Sequence, residues 1–116
     1  MVYKRGEIYL ANFNPSKGTE AGKIRPCLIM QSDFLNEIGH PSTTVLPLTT
    51  QLIDNSAPLR YRIKARDSLK EDSEVMLDQA RTIDNQRIMH NKITTLNKQE
   101  LIGVEELWQI ILGFGE

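Results

Sequence analysis

The hydrophobic pattern changes its period once along the chain, and this change limits the folds that the chain can adopt. Between residues 7 and 83, apolar residues occur in short alternating or β-branched runs separated by Gly, Pro and Asn, which is typical of strands and turns. From Leu101 to Leu112 they recur at spacings of three and four, which is typical of an amphipathic helix. Several strands followed by one helix predict a mainly β domain of the α+β class, and we expect a small barrel.

Residues that start and stop regular structure set the expected bounds of these elements. Pro47 has no N–H to donate, so it should lie at a sheet edge or a bulge. Asn97 and Glu100 fit a capping box at the start of the helix, and Gly113 should end it. Residues 14–25 should form a long exposed loop. We expect strands at residues 7–13, 26–31, 42–49, 59–64 and 74–83.

Composition narrows the class of protein. A chain of 116 residues with 40% apolar and 25% charged side chains predicts one domain over residues 1–116. No apolar run approaches the roughly 18 residues of a membrane span, and the start lacks the apolar segment of a signal peptide, so we expect a cytoplasmic protein with no membrane partner. The single cysteine, Cys27, excludes a disulfide framework and a cysteine-built metal site, and we expect it in the core.

The charges are unevenly distributed along the chain. A net charge of −1 argues against a nucleic-acid partner for the chain as a whole. However, residues 1–66 hold nine basic and five acidic side chains, whereas residues 67–116 hold five basic and ten acidic ones. The basic half could form a groove for an anionic ligand, with the acidic half lying elsewhere, although helical tails are also often rich in Glu.

The segment from Gly18 to Pro26 is the one most suggestive of chemistry. Its glycines allow a close backbone approach to a ligand, and Arg25 stands where this loop enters an apolar strand. The base of that side chain should be rigid while the guanidinium points outward, an arrangement that suits a phosphate. An ordinary loop with solvated charges is the alternative.

Several motifs, in order along nearly the whole chain, resemble the MazF/PemK family of toxin endoribonucleases. They are Lys4–Tyr9, Gly18 with Glu20, Arg25–Pro26, Pro47–Thr49 and Asp78–Asp84. The resemblance implies a small SH3-like barrel, a homodimer and a bacterial cytoplasmic toxin that cleaves single-stranded RNA, including mRNA, without a metal ion or cofactor. It also implies a cognate MazE/PemI-like antitoxin whose flexible tail occupies the RNA groove.

The resemblance assigns catalytic roles to four residues. In metal-free cleavage the neighbouring 2′-hydroxyl is the nucleophile, and the products are a 2′,3′-cyclic phosphate and a 5′-hydroxyl. Arg25 would stabilise the added negative charge, and Thr49 would donate a hydrogen bond to the scissile phosphate. Glu20 is the first candidate for the general base and Asp78 the second, because a carboxylate must reach the 2′-hydroxyl and the sequence leaves open which one does.

A second group of residues is expected to bind RNA. Arg60 and Arg62 alternate along one predicted strand and could follow a phosphate backbone, or they could form a solvated strand face. The polar residues after Asp78 could contact bases or could brace the last strand. The predicted RNA-binding residues are Lys17, Gly18, Thr19, Lys23, Gln79, Arg81, Thr82, Arg60 and Arg62.

Two other interpretations remain at this stage. His40 and His90 could suggest a two-histidine ribonuclease, but His40 lies in a turn, His90 lies in a polar connector, and neither falls on a family motif. A non-enzymatic toxin resembling CcdB, which inhibits DNA gyrase by binding, is the alternative function. The last four residues, Gly113–Glu116, lack the C-terminal aromatic pattern of that inhibitor.

Overall fold

Seven antiparallel strands and a C-terminal helix make up the computed structural model, which describes residues 2–116. The strands follow the spatial order β4-β5-β3-β2-β1-β7, and β6 pairs with β3 on the same side as β5. The elements are β1 (Glu7–Asn12), β2 (Ile24–Ile29), α1 (Asp33–Glu37), β3 (Ser42–Thr49), β4 (Arg60–Ile63), β5 (Ser73–Met76), β6 (Arg81–Asp84), a 3-10 turn (Asn85–Arg87), β7 (Ile88–Thr95) and α2 (Lys98–Leu112).

The sheet is open, so the expected closure into a barrel is wrong, while the mainly β, α+β class is confirmed. Within residues 2–116, β4 and β7 form the two edges and do not pair with each other. The apolar stripe of α2 packs on the core beside Tyr61 of β4, with Leu101, Trp108 and Ile111 among its contacts. Because the helix covers this apolar face, the face is buried without closure of the sheet.

Both faces of the central strands are buried. One apolar cluster contains Ile8 and Leu28 and lies beneath α2. The other contains Tyr9, Phe13 and Cys27 on the opposite face. This two-sided burial explains the continuous apolar run of β2, and it confirms Cys27 as a core residue, whose pKa burial raises to about 12.

Strand β3 has the predicted bounds, but Pro47 is not at a sheet edge. It is buried in an interior strand, opposite Cys27 of β2. The other side of β3 pairs with β6 over residues 42–45 and with β5 over residues 48–49, so Pro47 lies between these two ladders. A missing N–H is tolerated at such an interruption. This explains why Pro47 occupies an interior strand and not the expected edge or bulge.

Three elements differ from the sequence-based bounds. The single strand expected over residues 74–83 is two strands, β5 and β6, separated by a turn in which the Gln79 N–H donates to the Met76 carbonyl at 3.2 Å. The polar connector expected around His90 is strand β7, an edge strand that pairs only with β1 and whose side chains are mostly exposed. The short helix α1 was not predicted.

Helix α2 begins and ends where the sequence predicts. The Asn97 side chain accepts from the Glu100 N–H, and the Glu100 carboxylate accepts from the Asn97 N–H, which completes the capping box. Gly113 ends the helix with a φ of +80°, a left-handed conformation that favours glycine. No helix in the described residues is long and apolar enough to cross a membrane.

Candidate functional site

A polar groove of about 420 Å³ lies where the loop before β2, the end of β3 and the turn between β5 and β6 meet. β2 and β3 are adjacent in the sheet, and β3 pairs with both β5 and β6, so three distant chain segments reach one place. Seven of the predicted site residues line this groove: Thr19, Lys23, Arg25, Thr49, Arg60, Asp78 and Gln79.

Arg25, the second residue of β2, is held by two backbone carbonyls. Its Nε–H donates to the Gly22 carbonyl at 2.8 Å, and its Nη1–H donates to the Leu48 carbonyl at 3.2 Å. Burial lowers the pKa of the guanidinium, and the Arg60 guanidinium lowers it further. Both guanidinium groups line the groove, and two positive charges in one partly buried groove favour an anionic ligand.

Thr49, the last residue of β3, follows directly after the carbonyl that holds Arg25. Its Oγ1 accepts a hydrogen bond from the Gln51 N–H at 3.2 Å. A hydroxyl has one hydrogen to donate, and this bond uses an acceptor site only. The Thr49 hydroxyl hydrogen can therefore be donated to an anion beside Arg25.

The two candidate carboxylates occupy different positions. Asp78, in the turn between β5 and β6, is exposed and lines the groove. The Glu20 carboxylate accepts from the Lys17 N–H at 2.7 Å, and the Glu20 N–H donates to the Lys17 carbonyl at 3.0 Å. Glu20 belongs to a local turn of the loop and is not among the residues lining the groove.

The loop that forms one wall of the groove is fixed by hydrogen bonds at two points. The Gln79 side-chain oxygen accepts from the Ala21 N–H at 3.0 Å, so the turn between β5 and β6 is tied to the loop. The Lys23 N–H donates to Asn14 Oδ1 at 2.8 Å, and Lys23 has a φ of +71°. These contacts hold the wall in place next to Arg25.

Six predicted site residues lie outside the groove, and two of them brace the sheet. Arg81 donates to the Phe13 carbonyl at 2.9 Å and stacks over the Phe13 ring, and the Thr82 and Thr44 hydroxyls are 2.8 Å apart. This is the bracing alternative that the sequence left open for the last strand. The residues outside the groove are Lys17, Gly18, Glu20, Arg62, Arg81 and Thr82.

Sequence reasoning missed Glu74, which is only 2% exposed on β5. Its carboxylate pairs with Arg60 at 3.2 Å and with Arg62 at 2.8 Å. A buried carboxylate therefore compensates both arginines, although Arg62 stays exposed, and the expectation that the acidic half lies away from the basic groove is wrong. The available signal was a lone charge directly before the apolar run of residues 75–77.

Neither histidine belongs to the groove. His40 is exposed in the turn before β3, and His90 is exposed on β7. Among residues 2–116, no group of three His, Cys, Asp or Glu side chains is arranged so that it could hold a metal ion.

The sequence is similar to a characterised family over almost its whole length. Residues 4–112 match the profile of the family described as "PemK-like, MazF-like toxin of type II toxin-antitoxin system". Endoribonuclease EndoA of Bacillus subtilis is 38% identical over 113 residues, which cover 97% of this chain and 96% of EndoA. Endoribonuclease MazF of Staphylococcus epidermidis is 34% identical over 113 residues, which cover 97% of this chain and 92% of that protein.

The fold is similar to solved structures of comparable length. MazF from Deinococcus radiodurans superposes with a TM-score of 0.82 at 21% identity, covering 98% of this chain and 99% of that one. A mycobacterial endoribonuclease in complex with its cognate antitoxin superposes with a TM-score of 0.77 at 16% identity, covering 98% of each chain. At these identities the likeness shows a shared fold.

Proposed function

Because the chain belongs to the PemK-like, MazF-like toxins of type II toxin–antitoxin systems, we propose that it is an endoribonuclease that cleaves single-stranded RNA, including mRNA, at specific short sequences. Relatives that share 34–38% of its residues over nearly full length are named endoribonucleases. The observation that carries the proposal is the groove that Arg25, Thr49 and Asp78 line together. In phosphodiester cleavage, an arginine can stabilise negative charge, a threonine hydroxyl can donate a hydrogen bond to the phosphate, and a carboxylate can remove a proton.

The proposed reaction uses the RNA's own 2′-hydroxyl and needs no metal ion. A general base removes the hydroxyl proton, and the oxygen forms a bond to the adjacent phosphorus. The bond from phosphorus to the 5′-oxygen breaks, and that oxygen takes up a proton from the solvent. The products are a 2′,3′-cyclic phosphate and a 5′-hydroxyl.

Arg25 would stabilise the charge that develops on the phosphorane. Its two carbonyl contacts orient the guanidinium before RNA arrives, so little reorganisation is needed when the negative charge increases. Thr49 would donate its hydroxyl hydrogen to a non-bridging phosphate oxygen. Arg25 and Thr49 line the same groove, and the Leu48 carbonyl bonded to Arg25 belongs to the residue before Thr49, which supports contact of both donors with one phosphate.

Asp78 is the better supported of the two candidate bases. Asp78 lines the groove together with Arg25 and Thr49, whereas the Glu20 carboxylate is bonded to the Lys17 N–H within the loop. A general base must come within hydrogen-bond reach of the proton it removes. We therefore assign proton removal to Asp78 and a loop-closing role to Glu20.

The remaining groove residues would hold the RNA strand. Lys23 and Arg60 supply positive charge, and Thr19 and Gln79 supply donors and acceptors for splayed bases. We also propose a homodimer in the bacterial cytoplasm and a cognate antitoxin that occupies the groove in place of RNA. The solved complex of the mycobacterial endoribonuclease with its antitoxin, which has the same fold, supports an antitoxin partner.

Cleavage of a long RNA in EDTA tests this proposal. The wild-type protein should produce discrete cuts, and Arg25→Ala should reduce the rate by roughly 10²-fold or more because it removes a preorganised donor. Arg66→Ala is the charge-matched control, since Arg66 pairs with Glu100 outside the groove. Intact RNA with the wild-type protein, or equal cleavage by Arg25→Ala, would contradict the proposal.

A further inference from the structure

Glu74 is a buried carboxylate whose hydrogen-bonding capacity is fully used. Oε1 accepts from Arg60 Nη1 at 3.2 Å and from the Ile53 N–H at 3.1 Å. Oε2 accepts from Arg62 Nε at 3.0 Å and from Arg62 Nη2 at 2.8 Å. A buried charge is tolerated when it is paired and bonded in this way, so the side chain has one well-defined position.

Both arginines bound to Glu74 lie beside the segment of residues 53–57, but only Arg60 also lines the groove. Arg62 has a second carboxylate partner, Asp54, at 2.8 Å and does not line the groove. Arg60 lines the groove, and its Nη1 also donates to the Gln51 carbonyl at 3.2 Å. Its Nε and Nη2 hydrogens have no acceptor among the described residues, so they are available to a ligand.

The position of Arg60 needs an explanation because it lines the same groove as Arg25, and its charge lowers the pKa of that guanidinium. Two guanidinium groups repel each other, and a free Arg60 would be expected to turn toward solvent. Glu74 compensates the charge of Arg60 and binds the Nη1 side of its fork. The opposite side, with Nε and Nη2, suits paired contacts to phosphate oxygens.

Given the RNA cleavage proposed above, we propose that Glu74 is a positioning residue that holds Arg60 beside Arg25, so that Arg60 binds a phosphate next to the scissile one. Glu74 also accepts the Ile53 N–H, and Gln51, two residues earlier, lines the groove. One buried carboxylate therefore fixes a cation and an adjoining segment of the groove wall. Its contribution is to RNA binding, and Arg25 keeps its role at the reacting phosphate.

Glu74→Gln tests the positioning role because it preserves size and removes the charge. If Glu74 acted only through its negative charge, its loss beside the groove would make RNA binding tighter. Positioning predicts the opposite: a KM for RNA raised roughly tenfold, with kcat nearly unchanged, because a charge-assisted phosphate contact made in the ground state is lost. Glu100→Gln is the matched control, since Glu100 pairs with Arg66 away from the groove, and its KM should equal that of the wild type.

Two Arg60 variants keep the test decisive if Glu74→Gln does not fold. Arg60→Gln should raise KM. It should also reduce the magnitude of the slope of log K for RNA binding against log salt concentration by about 0.7. Arg60→Lys should keep the slope but still raise KM, because an ammonium lacks the planar fork. A wild-type KM for Arg60→Lys, or an unchanged or lower KM for folded Glu74→Gln, would overturn the inference.

Binding to an uncleavable RNA separates this inference from the proposed function. The probe carries a 2′-deoxy nucleotide at the site that the wild-type protein cuts. If wild-type protein cleaves RNA and the Glu74→Gln variant binds this probe at least as tightly, only the positioning role fails. If the wild-type protein cleaves no RNA, both the proposed function and the positioning role fail.

Discussion

At the scale of single residues, the hydrogen bonds of Arg25 decide which role it can take. The Gly22 and Leu48 carbonyls accept from it at 2.8 and 3.2 Å, so the guanidinium is oriented in the absence of RNA. Burial and the charge of Arg60 lower its pKa, but the ordinary value lies above about 12, and the group stays charged near neutral pH. Charge stabilisation therefore fits Arg25 better than proton transfer does.

Thr49→Ala should slow the chemical step and leave RNA binding largely intact. The hydroxyl would donate to the phosphate most strongly as negative charge develops, and loss of one such donor costs on the order of 10²-fold in kcat. Single-turnover cleavage and binding of the 2′-deoxy probe measure the two effects separately. Thr44→Ala is the control, because the Thr44 hydroxyl contacts Thr82 away from the groove. Loss of binding in proportion to activity would contradict a role in the chemical step.

Asp78→Asn and Glu20→Gln should differ in their pH–rate profiles. Removal of the general base should lower kcat by roughly 10²- to 10⁴-fold and should abolish the acidic limb of the profile. We expect this result for Asp78→Asn, whose carboxylate lines the groove. Glu20→Gln should retain the acidic limb. Its kcat should fall only moderately, because the loop is closed less firmly at Lys17. The reverse pattern would assign the base to Glu20.

At the scale of elements, the helices and strands that could be predicted are those whose signals come from residues adjacent in the sequence. Helix α2 was predicted because its period and both caps are local, and β3 because it contains the β-branched run of residues 43–45 followed by apolar residues. Strand β7 was missed because an edge strand with exposed side chains has no alternating pattern. Glu74 was missed because its role depends on the pairing of β4 with β5, which places it opposite Arg62. Strand pairing is not a local property of the sequence.

The stability of helix α2 should depend on pH through Glu100. The side-chain hydrogen bond from Arg66 lowers the pKa of Glu100, burial opposes this, and the Asn97 N–H lowers it further. A carboxyl with a lowered pKa in the folded state contributes stability above its unfolded pKa of about 4.3, and it loses that contribution as the pH falls through the folded value.

The expected result is that wild type exceeds Glu100→Gln in free energy of unfolding at pH 6 and that this difference shrinks by about pH 3. Urea unfolding at several pH values measures the difference. Subtracting the free energy of the variant from that of the wild type at each pH removes the contribution of the other carboxyls. A constant difference between pH 6 and pH 3 would show that Glu100 is not stabilised by its charge.

At the scale of the whole molecule, the acidic and basic halves of the chain interleave. Acidic residues of the second half pair with arginines of the first: Glu74 with Arg60 and Arg62, Glu100 with Arg66, and Glu105 with Arg5. The pairs of Arg5, Arg62 and Arg66 compensate basic charge outside the groove, whereas Arg60 also lines it. The net charge of −1 is therefore compatible with a local RNA site, because the basic side chains that line the groove are Lys23, Arg25 and Arg60.

RNA affinity should be moderately sensitive to salt. Three groove cations that each contact a phosphate of a single strand predict a slope of about −2 for log K against log salt concentration. Fluorescence anisotropy with the 2′-deoxy probe at a series of KCl concentrations measures the slope. A slope near zero would contradict phosphate binding in the groove, and a slope steeper than about −5 would require a larger basic surface than the structure has.

In the proposed mechanism, the groove of Arg25, Thr49 and Asp78 directs an RNA's own 2′-hydroxyl against its phosphate. The most direct measurement is cleavage, in EDTA, of an RNA oligonucleotide containing the mapped site, beside the same oligonucleotide with one 2′-deoxy nucleotide at that site. We predict cleavage of the first, with a 2′,3′-cyclic phosphate and a 5′-hydroxyl at the new ends, and no cleavage of the second. Cleavage of the 2′-deoxy oligonucleotide at the same position would contradict the mechanism.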